Sequence, residues 1–151
     1  MSEAPSGRTP PPGNRMAVAL LSLVGLFVSL YLLAHSLGIT GPVLCGVGDC
    51  DTVQASEYAW VGPVPVSGIG VAGYVGLLVV ALLGIQPRFR NAAWISLLLV
   101  TGAAIGLLFS GWLTYLEAAV INAWCMWCVG SAVLVVLICV ATVPEVGRLR
   151  R

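Results

Sequence analysis

Charged residues are scarce in this sequence. Asp, Glu, Lys and Arg together make up 9% of its 151 residues, and lysine is absent. About a quarter of the residues of a typical soluble domain are charged, so the composition excludes an ordinary soluble domain. The net charge of +1 is too small to indicate a nucleic-acid partner. The length leaves room for one compact bundle and for no separate soluble domain.

Sequence signatures of the common bound cofactors are also missing. The sequence has no flavin fingerprint and no glycine-rich NAD-binding loop. Its single C-x-x-C sequence is followed by Val129, where a c-type haem attachment site requires histidine. These absences exclude the usual motif-bound redox groups.

Apolar residues are abundant instead, at 59% of the chain. Four runs are long enough to cross a membrane as helices: 16–37, 67–85, 92–116 and 124–143. The first run is too long for the apolar core of an ordinary signal peptide, so we expect an uncleaved helix. The predicted fold is an all-α, integral membrane four-helix bundle. Its predicted divisions are a disordered tail (1–15), the transmembrane domain (16–143) and a basic tail (144–151).

The arginines give this predicted bundle an orientation. All seven precede the first span, separate the second from the third, or follow the fourth: Arg8, Arg15, Arg88, Arg90, Arg148, Arg150 and Arg151. The opposite loops contain no arginine or lysine. The positive-inside rule therefore predicts that both termini are cytoplasmic and that the long loop 38–66 is periplasmic or extracellular.

Four of the five cysteines fall on the predicted outer side, where disulfides persist. Cys45 and Cys50 lie in the long loop, and Cys125 and Cys128 begin the fourth span. Residues three apart share one face of a helix, and a helix N-terminus favours a thiolate, so the C-x-x-C pair is suited to redox chemistry. Cys139 lies deeper in the fourth span, where we expect a packing residue.

The two cysteine pairs leave three interpretations open. They could form a redox relay by thiol–disulfide exchange. They could be two structural disulfides of a non-catalytic membrane scaffold, although a C-x-x-C disulfide closes too small a loop to add much stability. They could also bind zinc through four thiolates, although an oxidising compartment would tend to convert those thiolates to disulfides. We favour the relay, with a quinone in an apolar pocket between the helices as the electron acceptor.

The relay requires a loop sulfur to approach Cys125 or Cys128 to disulfide distance. Gly46 and Gly48 would allow the loop backbone to bend that close.

Five segments in this order carry a family resemblance: 45–50 (CGVGDC), 51–56 (DTVQAS), 62–67 (GPVPVS) with Gly70 and Tyr74, 115–117 (YLE) and 125–128 (CMWC). With them the chain resembles bacterial members of the vitamin K epoxide reductase family, over residues 16–143. The resemblance implies a four-helix bundle around a quinone, capped by the outer loop. It implies a disulfide-generating enzyme of the cytoplasmic (inner) membrane, with its redox cysteines on the outer side.

The resemblance also implies roles for individual residues. Cys125 would exchange with the loop pair, and Cys128 would contact the quinone, of the menaquinone or ubiquinone type. Cys45 and Cys50 would shuttle electrons from a separate periplasmic thioredoxin-like protein of the DsbA type. The resemblance leaves open which of these two cysteines meets that partner. No metal is implied.

Several further residues are expected near the quinone or are departures from the family pattern. Ser56, Trp60 and Tyr74 are expected to line the quinone pocket, although a local turn role explains Ser56 equally well. Animal members carry an asparagine and a tyrosine at the positions matching Val66 and Ala132, so reduction of quinone epoxides is not implied.

Glu117 lies at the outer edge of the third span. An acid inside a membrane would be a functional candidate, but this one is expected to be an ordinary helix-end residue within reach of water.

Overall fold

The computed structural model describes residues 12–150, which are mostly helical. In chain order its elements are α1 (Gly13–Ser36), α2 (Cys50–Ala55), β1 (Trp60–Val61), β2 (Val64–Pro65), α3 (Val66–Ile85), α4 (Ala93–Leu116) and α5 (Met126–Leu149). The helices α1, α3, α4 and α5 are long and apolar enough to cross a membrane. The four predicted spans and the helical fold class are therefore confirmed.

The long loop between α1 and α3 covers one end of the bundle, which we call the loop end. It contains α2, a 3₁₀ turn (Glu57–Ala59) and the antiparallel pair β1–β2. The opposite end, where a short connection joins α3 to α4, we call the turn end. Apart from the two-residue strands β1 and β2, the architecture is that of a helical bundle.

Two helices extend further at the turn end than the sequence predicts. The first begins at Gly13, inside the predicted tail 1–15, whose residues 1–11 lie outside the described part. The fourth continues through Pro144 to Leu149, although its predicted span ends at 143. Proline removes one helical hydrogen bond, and contacts made by the neighbouring residue Glu145 hold this last segment in place.

Those contacts form a buried polar network at the turn end. Arg15 and Glu145 are both fully buried, and the arginine donates Nε and Nη2 to the carboxylate at 3.0 and 2.8 Å. The Nη1 group of Arg15 donates to the carbonyl oxygens of Gly84 and Arg90 at 2.7 and 3.1 Å. The network therefore ties the start of α1 to the ends of α3 and α5 and to the connection before α4.

The apolar core has two parts. One part fills the bundle between α1, α3, α4 and α5 and contains Val18, Ala81, Ile95, Leu99 and Ile138. The other lies beneath the loop and contains Leu32, Val43, Cys50, Val53 and Cys125. Two cysteines of different pairs thus belong to one buried cluster.

A π-helical turn (Glu117–Ile121) follows α4 and changes where its last residues point. The turn ends at Asn122, which has a left-handed conformation with φ of 54°. The helix therefore continues past residue 116, the predicted end of the third span, and Glu117 is buried rather than exposed at the helix end.

Candidate functional site

The segment before the loop cysteines is fixed to the bundle by side chains of α1 and α5. The backbone N–H of Leu44 donates to the Tyr31 hydroxyl at 2.9 Å, and its carbonyl accepts the Trp127 indole N–H at 2.9 Å. The rings of Tyr31 and Trp127 pack together with centroids 5.3 Å apart. The loop therefore begins its approach to the C-x-x-C segment from a defined position.

Next, the loop backbone pairs directly with the residues around Cys125. Gly48 and Cys125 form an antiparallel bridge, and the Asp49 N–H donates to the Trp124 carbonyl at 2.8 Å. Gly48 has φ of 94°, and a Cβ there would lie 2.2 Å from the Trp124 oxygen. Only glycine allows this approach, so the sequence-based expectation that the loop bends toward the C-x-x-C pair has a specific structural basis at Gly48.

The loop cysteines are joined to each other. Cys45 and Cys50 form a disulfide with Cα atoms 6.0 Å apart. Cys50 is buried in the cluster that contains Cys125, whereas Cys45 is only half-buried. Both ends of this disulfide therefore contact the cluster that contains Cys125, with Cys50 as the buried end and Cys45 as the more accessible end.

Asp49 starts the short helix that carries Cys50. Its carboxylate accepts the Thr52 hydroxyl and the Thr52 backbone N–H, as an N-terminal capping residue does. These two bonds lower the pKa of Asp49. The cap fixes the orientation of α2 and with it the position of Cys50.

Cys125 and Cys128 are free thiols at the start of α5. The Cys125 sulfur caps the helix by accepting the Cys128 backbone N–H at 3.4 Å. The structural-disulfide interpretation requires a second disulfide here, and these sulfurs do not form one in the structure.

A cavity of about 530 Å³ opens on the other side of Cys128. Its walls are mainly apolar side chains and glycines of α3 and α4. Its polar or reactive groups include Gln54, Ser56, Tyr74, Glu117 and Cys128. Such a volume, with few polar groups in an apolar wall, is typical of a small-molecule site.

Three of the four residues expected near the quinone line this cavity. They are Cys128, Ser56 and Tyr74. Trp60 does not line it; this residue pairs with Pro65 in the β1–β2 hairpin and is 40% exposed. The position of Val66, where animal family members carry asparagine, is part of the cavity wall.

Two of these lining residues already have hydrogen-bond partners. The Ser56 hydroxyl donates to the Val53 carbonyl at 2.7 Å, which is the turn role considered for it from sequence. The Tyr74 hydroxyl is 2.8 Å from the Ser131 hydroxyl of α5. Both hydroxyls are therefore held in fixed positions.

Sequence reasoning missed two groups at this site. The Gln54 amide donates to the Cys128 sulfur at 3.6 Å, and the Cys125 backbone N–H donates to Glu117 Oε2 at 3.1 Å. The signal for Glu117 was present, since an acid in an apolar span is a functional candidate. Gln54 carried no comparable signal.

Cys139 lies apart from this site. The Cys139 thiol donates to the Ala103 carbonyl at 3.2 Å, within the packed part of the bundle.

The zinc interpretation requires a cluster of metal ligands. Among residues 12–150 no group of three or more His, Cys, Asp or Glu side chains could hold a metal ion. Two of the four thiolates that a zinc site would need are joined in the Cys45–Cys50 disulfide.

The chain matches a known protein family. A model described as the vitamin K epoxide reductase family matches residues 16–143, which is most of the chain. The matched region contains both cysteine pairs, the loop and all residues that line the cavity.

Proposed function

Because the chain belongs to the vitamin K epoxide reductase family, whose members are oxidoreductases that use quinones, we propose that it is a membrane thiol:quinone oxidoreductase. It would oxidise the dithiol of a separate thioredoxin-like protein of the DsbA type. One observation carries the proposal: a loop disulfide is held against a free C-x-x-C dithiol that opens onto an apolar cavity.

The burial of the cysteines supports an order for the relay. A partner thiolate attacks Cys45, which forms a mixed disulfide and breaks the Cys45–Cys50 bond. The released Cys50 thiolate attacks Cys125 of an oxidised C-x-x-C pair and displaces Cys128. The second partner thiol then frees Cys45, which attacks Cys50, restores the loop disulfide and leaves both C-x-x-C cysteines reduced.

The pattern of exposure is the reason for assigning Cys45 to the partner. Cys50 is 1% exposed and packs in one cluster with Cys125, so an external protein cannot reach it without moving the loop. Cys45 is half-buried, and its neighbours Leu44 and Val47 are both 79% exposed. The partner would therefore meet Cys45 on an accessible apolar surface.

The cavity next to Cys128 fits a quinone. A bound quinone would accept two electrons and two protons and become a quinol. The apolar walls from α3 and α4 would hold its ring and chain, and the Tyr74 hydroxyl lies in the same wall as Cys128. Closing this space from water would keep Cys128 from unwanted exchange with other thiols.

The orientation of the chain follows from its arginines. Arg88, Arg148 and Arg150 are exposed at the turn end, and no arginine lies in the segments of the loop end. The turn end and both termini would therefore be cytoplasmic, and the cysteine relay would face the periplasmic or extracellular side of the cytoplasmic membrane.

The test is quinone reduction by the purified protein in detergent, driven by a reduced thioredoxin-like dithiol. Wild type should turn over with a menaquinone or ubiquinone analogue, and alanine variants of each of the four relay cysteines should not. Cys139→Ala is the matched control and should retain activity, because that thiol packs against Ala103 away from the cavity. A folded wild type that reduces neither quinone would favour the non-catalytic scaffold with two structural disulfides.

A further inference from the structure

Glu117 occupies an unusual position for an acidic side chain. It is 4% exposed, it is the first residue of the π-helical turn, and it lines the cavity beside Cys128. A π-helical turn widens a helix by one residue and is often found at functional sites. The side chain is directed into the site instead of toward the surface at the helix end.

The contacts of Glu117 are made with the C-x-x-C segment. Its Oε2 atom accepts the Cys125 backbone N–H at 3.1 Å. Cys128 lines the same cavity as this carboxylate. In the part of the chain that the structure describes, the other titratable side chains lining the cavity are Tyr58 and Tyr74. Glu117 is thus the single carboxylate among these cavity groups.

A comparison with the other buried glutamate separates a structural role from a chemical one. Glu145 is fully buried and forms ion pairs with Arg15 and Arg148. Within residues 12–150, Glu117 forms no ion pair and accepts the backbone N–H of Cys125. Burying a carboxylate without a nearby cation costs free energy, so the charge of such a side chain does not stabilise the fold.

The chemistry of the relay provides a use for this carboxylate. Oxidation of the reduced pair breaks the S–H bonds of Cys125 and Cys128 and forms one S–S bond. Two electrons and two protons leave, and the quinone of the proposed function receives them as it becomes a quinol. The Cys128 proton is released in a cavity with mainly apolar walls, where water is a poor acceptor.

We propose that Glu117 is the proton acceptor for the Cys128 thiol and passes that proton on to the bound quinone. This inference rests on the proposed function and adds a catalytic residue to it. The carboxylate takes up the proton when Cys128 gives up its electrons and returns to its starting form when the proton reaches the quinone oxygen. No further oxidant or reductant is required.

The test compares wild type with Glu117→Gln, Glu117→Asp and the control Glu57→Gln. The glutamine keeps an oxygen that can accept the Cys125 N–H, so it separates proton transfer from the structural hydrogen bond. Aspartate keeps a carboxylate that is shorter by one methylene. Glu57 is exposed in the 3₁₀ turn and outside the cavity wall described above.

Two rates and one spectroscopic signal are measured. Glu117→Gln should reduce the rate of quinone reduction by about 100-fold, the lower range for losing a general base. The rate at which the partner reduces the loop disulfide should stay at the wild-type value. Glu117→Asp should recover part of the loss, and Glu57→Gln should match wild type.

The spectroscopic signal is the infrared S–H band of Cys128 in the reduced protein without quinone, assigned by comparison with Cys128→Ala. In wild type this band should lie at the frequency of a strongly hydrogen-bonded thiol. In Glu117→Gln it should move toward the frequency of a free thiol.

The outcomes are distinguishable. Full quinone reduction by Glu117→Gln beside an active wild type would overturn the role of Glu117 and leave the proposed function standing. A loss of activity without any shift of the Cys128 S–H band would overturn it as well. If Glu117→Gln does not fold, a wild-type Cys128 S–H band at the free position decides against the proposal, and one at the hydrogen-bonded position supports it. An inactive wild type would contradict both the function and the inference.

Discussion

Glu145 is the residue whose removal should destabilise the bundle most sharply. Its carboxylate accepts hydrogen bonds from Arg15 at 3.0 and 2.8 Å, and also from the side chains of Asn14, Ser96 and Arg148. The change to test is Glu145→Ala. It would leave the guanidinium of Arg15 buried, with the backbone carbonyls of Gly84 and Arg90 and the Ser96 hydroxyl as its remaining acceptors.

The expected cost follows from the burial of the two partners. Removing one member of a buried ion pair typically costs about 3–5 kcal/mol, because the other charge stays buried without compensation. The three acceptors that Arg15 retains place the expected value near the lower end, about 3 kcal/mol. The Arg148 side chain is 40% exposed, so Arg148→Ala removes a screened surface pair and should cost less than about 1 kcal/mol.

The assay is reversible unfolding in mixed detergent, with helix content as the signal. Arg148→Ala is the matched control, because it removes another arginine partner of the same carboxylate. A double variant, Arg15→Met with Glu145→Met, should recover much of the loss, since no buried charge then lacks a partner. A cost for Glu145→Ala no larger than that for Arg148→Ala would refute the view that this network holds the turn end together.

A further prediction concerns the contact between the loop and the C-x-x-C pair. Gly48→Ala should cost roughly 1–3 kcal/mol of loop docking and slow the reduction of the C-x-x-C disulfide, because φ of 94° and the Trp124 oxygen exclude a Cβ. Gly46→Ala is the control: its Cβ would meet only the ordinary contact of a flexible side chain, so this variant should react at the wild-type rate. Equal rates for the two variants would contradict the argument.

The general fold could be predicted because its signals are local. Each span is a continuous apolar run, so no distant residue is needed to recognise it. The order of the four cysteines along these spans also places both pairs at one end of the bundle. The sequence does not predict which loop cysteine meets the partner, because the difference in exposure between Cys45 and Cys50 arises only when the loop packs onto Cys125.

The features that sequence did not reveal depend on contacts between distant residues. Arg15 and Glu145 are 130 positions apart and lie in segments that composition marks as tails. The helix passes Pro144 because this distant ion pair fixes the following residue. Glu117 looked like a helix-end residue, since a local pattern does not predict the π-helical turn that directs it inward. Trp60 is predicted to line the cavity, but it lies in the β1–β2 hairpin, outside the cavity wall.

The order of the relay can be tested most directly by trapping its central intermediate. In the variant Cys45→Ala with Cys128→Ala, the account predicts that oxidation of the two remaining thiols by dissolved oxygen gives a disulfide between Cys50 and Cys125, detected by mass spectrometry of a non-reduced digest. The matched control, Cys50→Ala with Cys128→Ala, leaves Cys45 and Cys125 and should yield little such bond. Efficient formation of a Cys45–Cys125 disulfide in the control, with none between Cys50 and Cys125 in the first variant, would contradict the proposed relay.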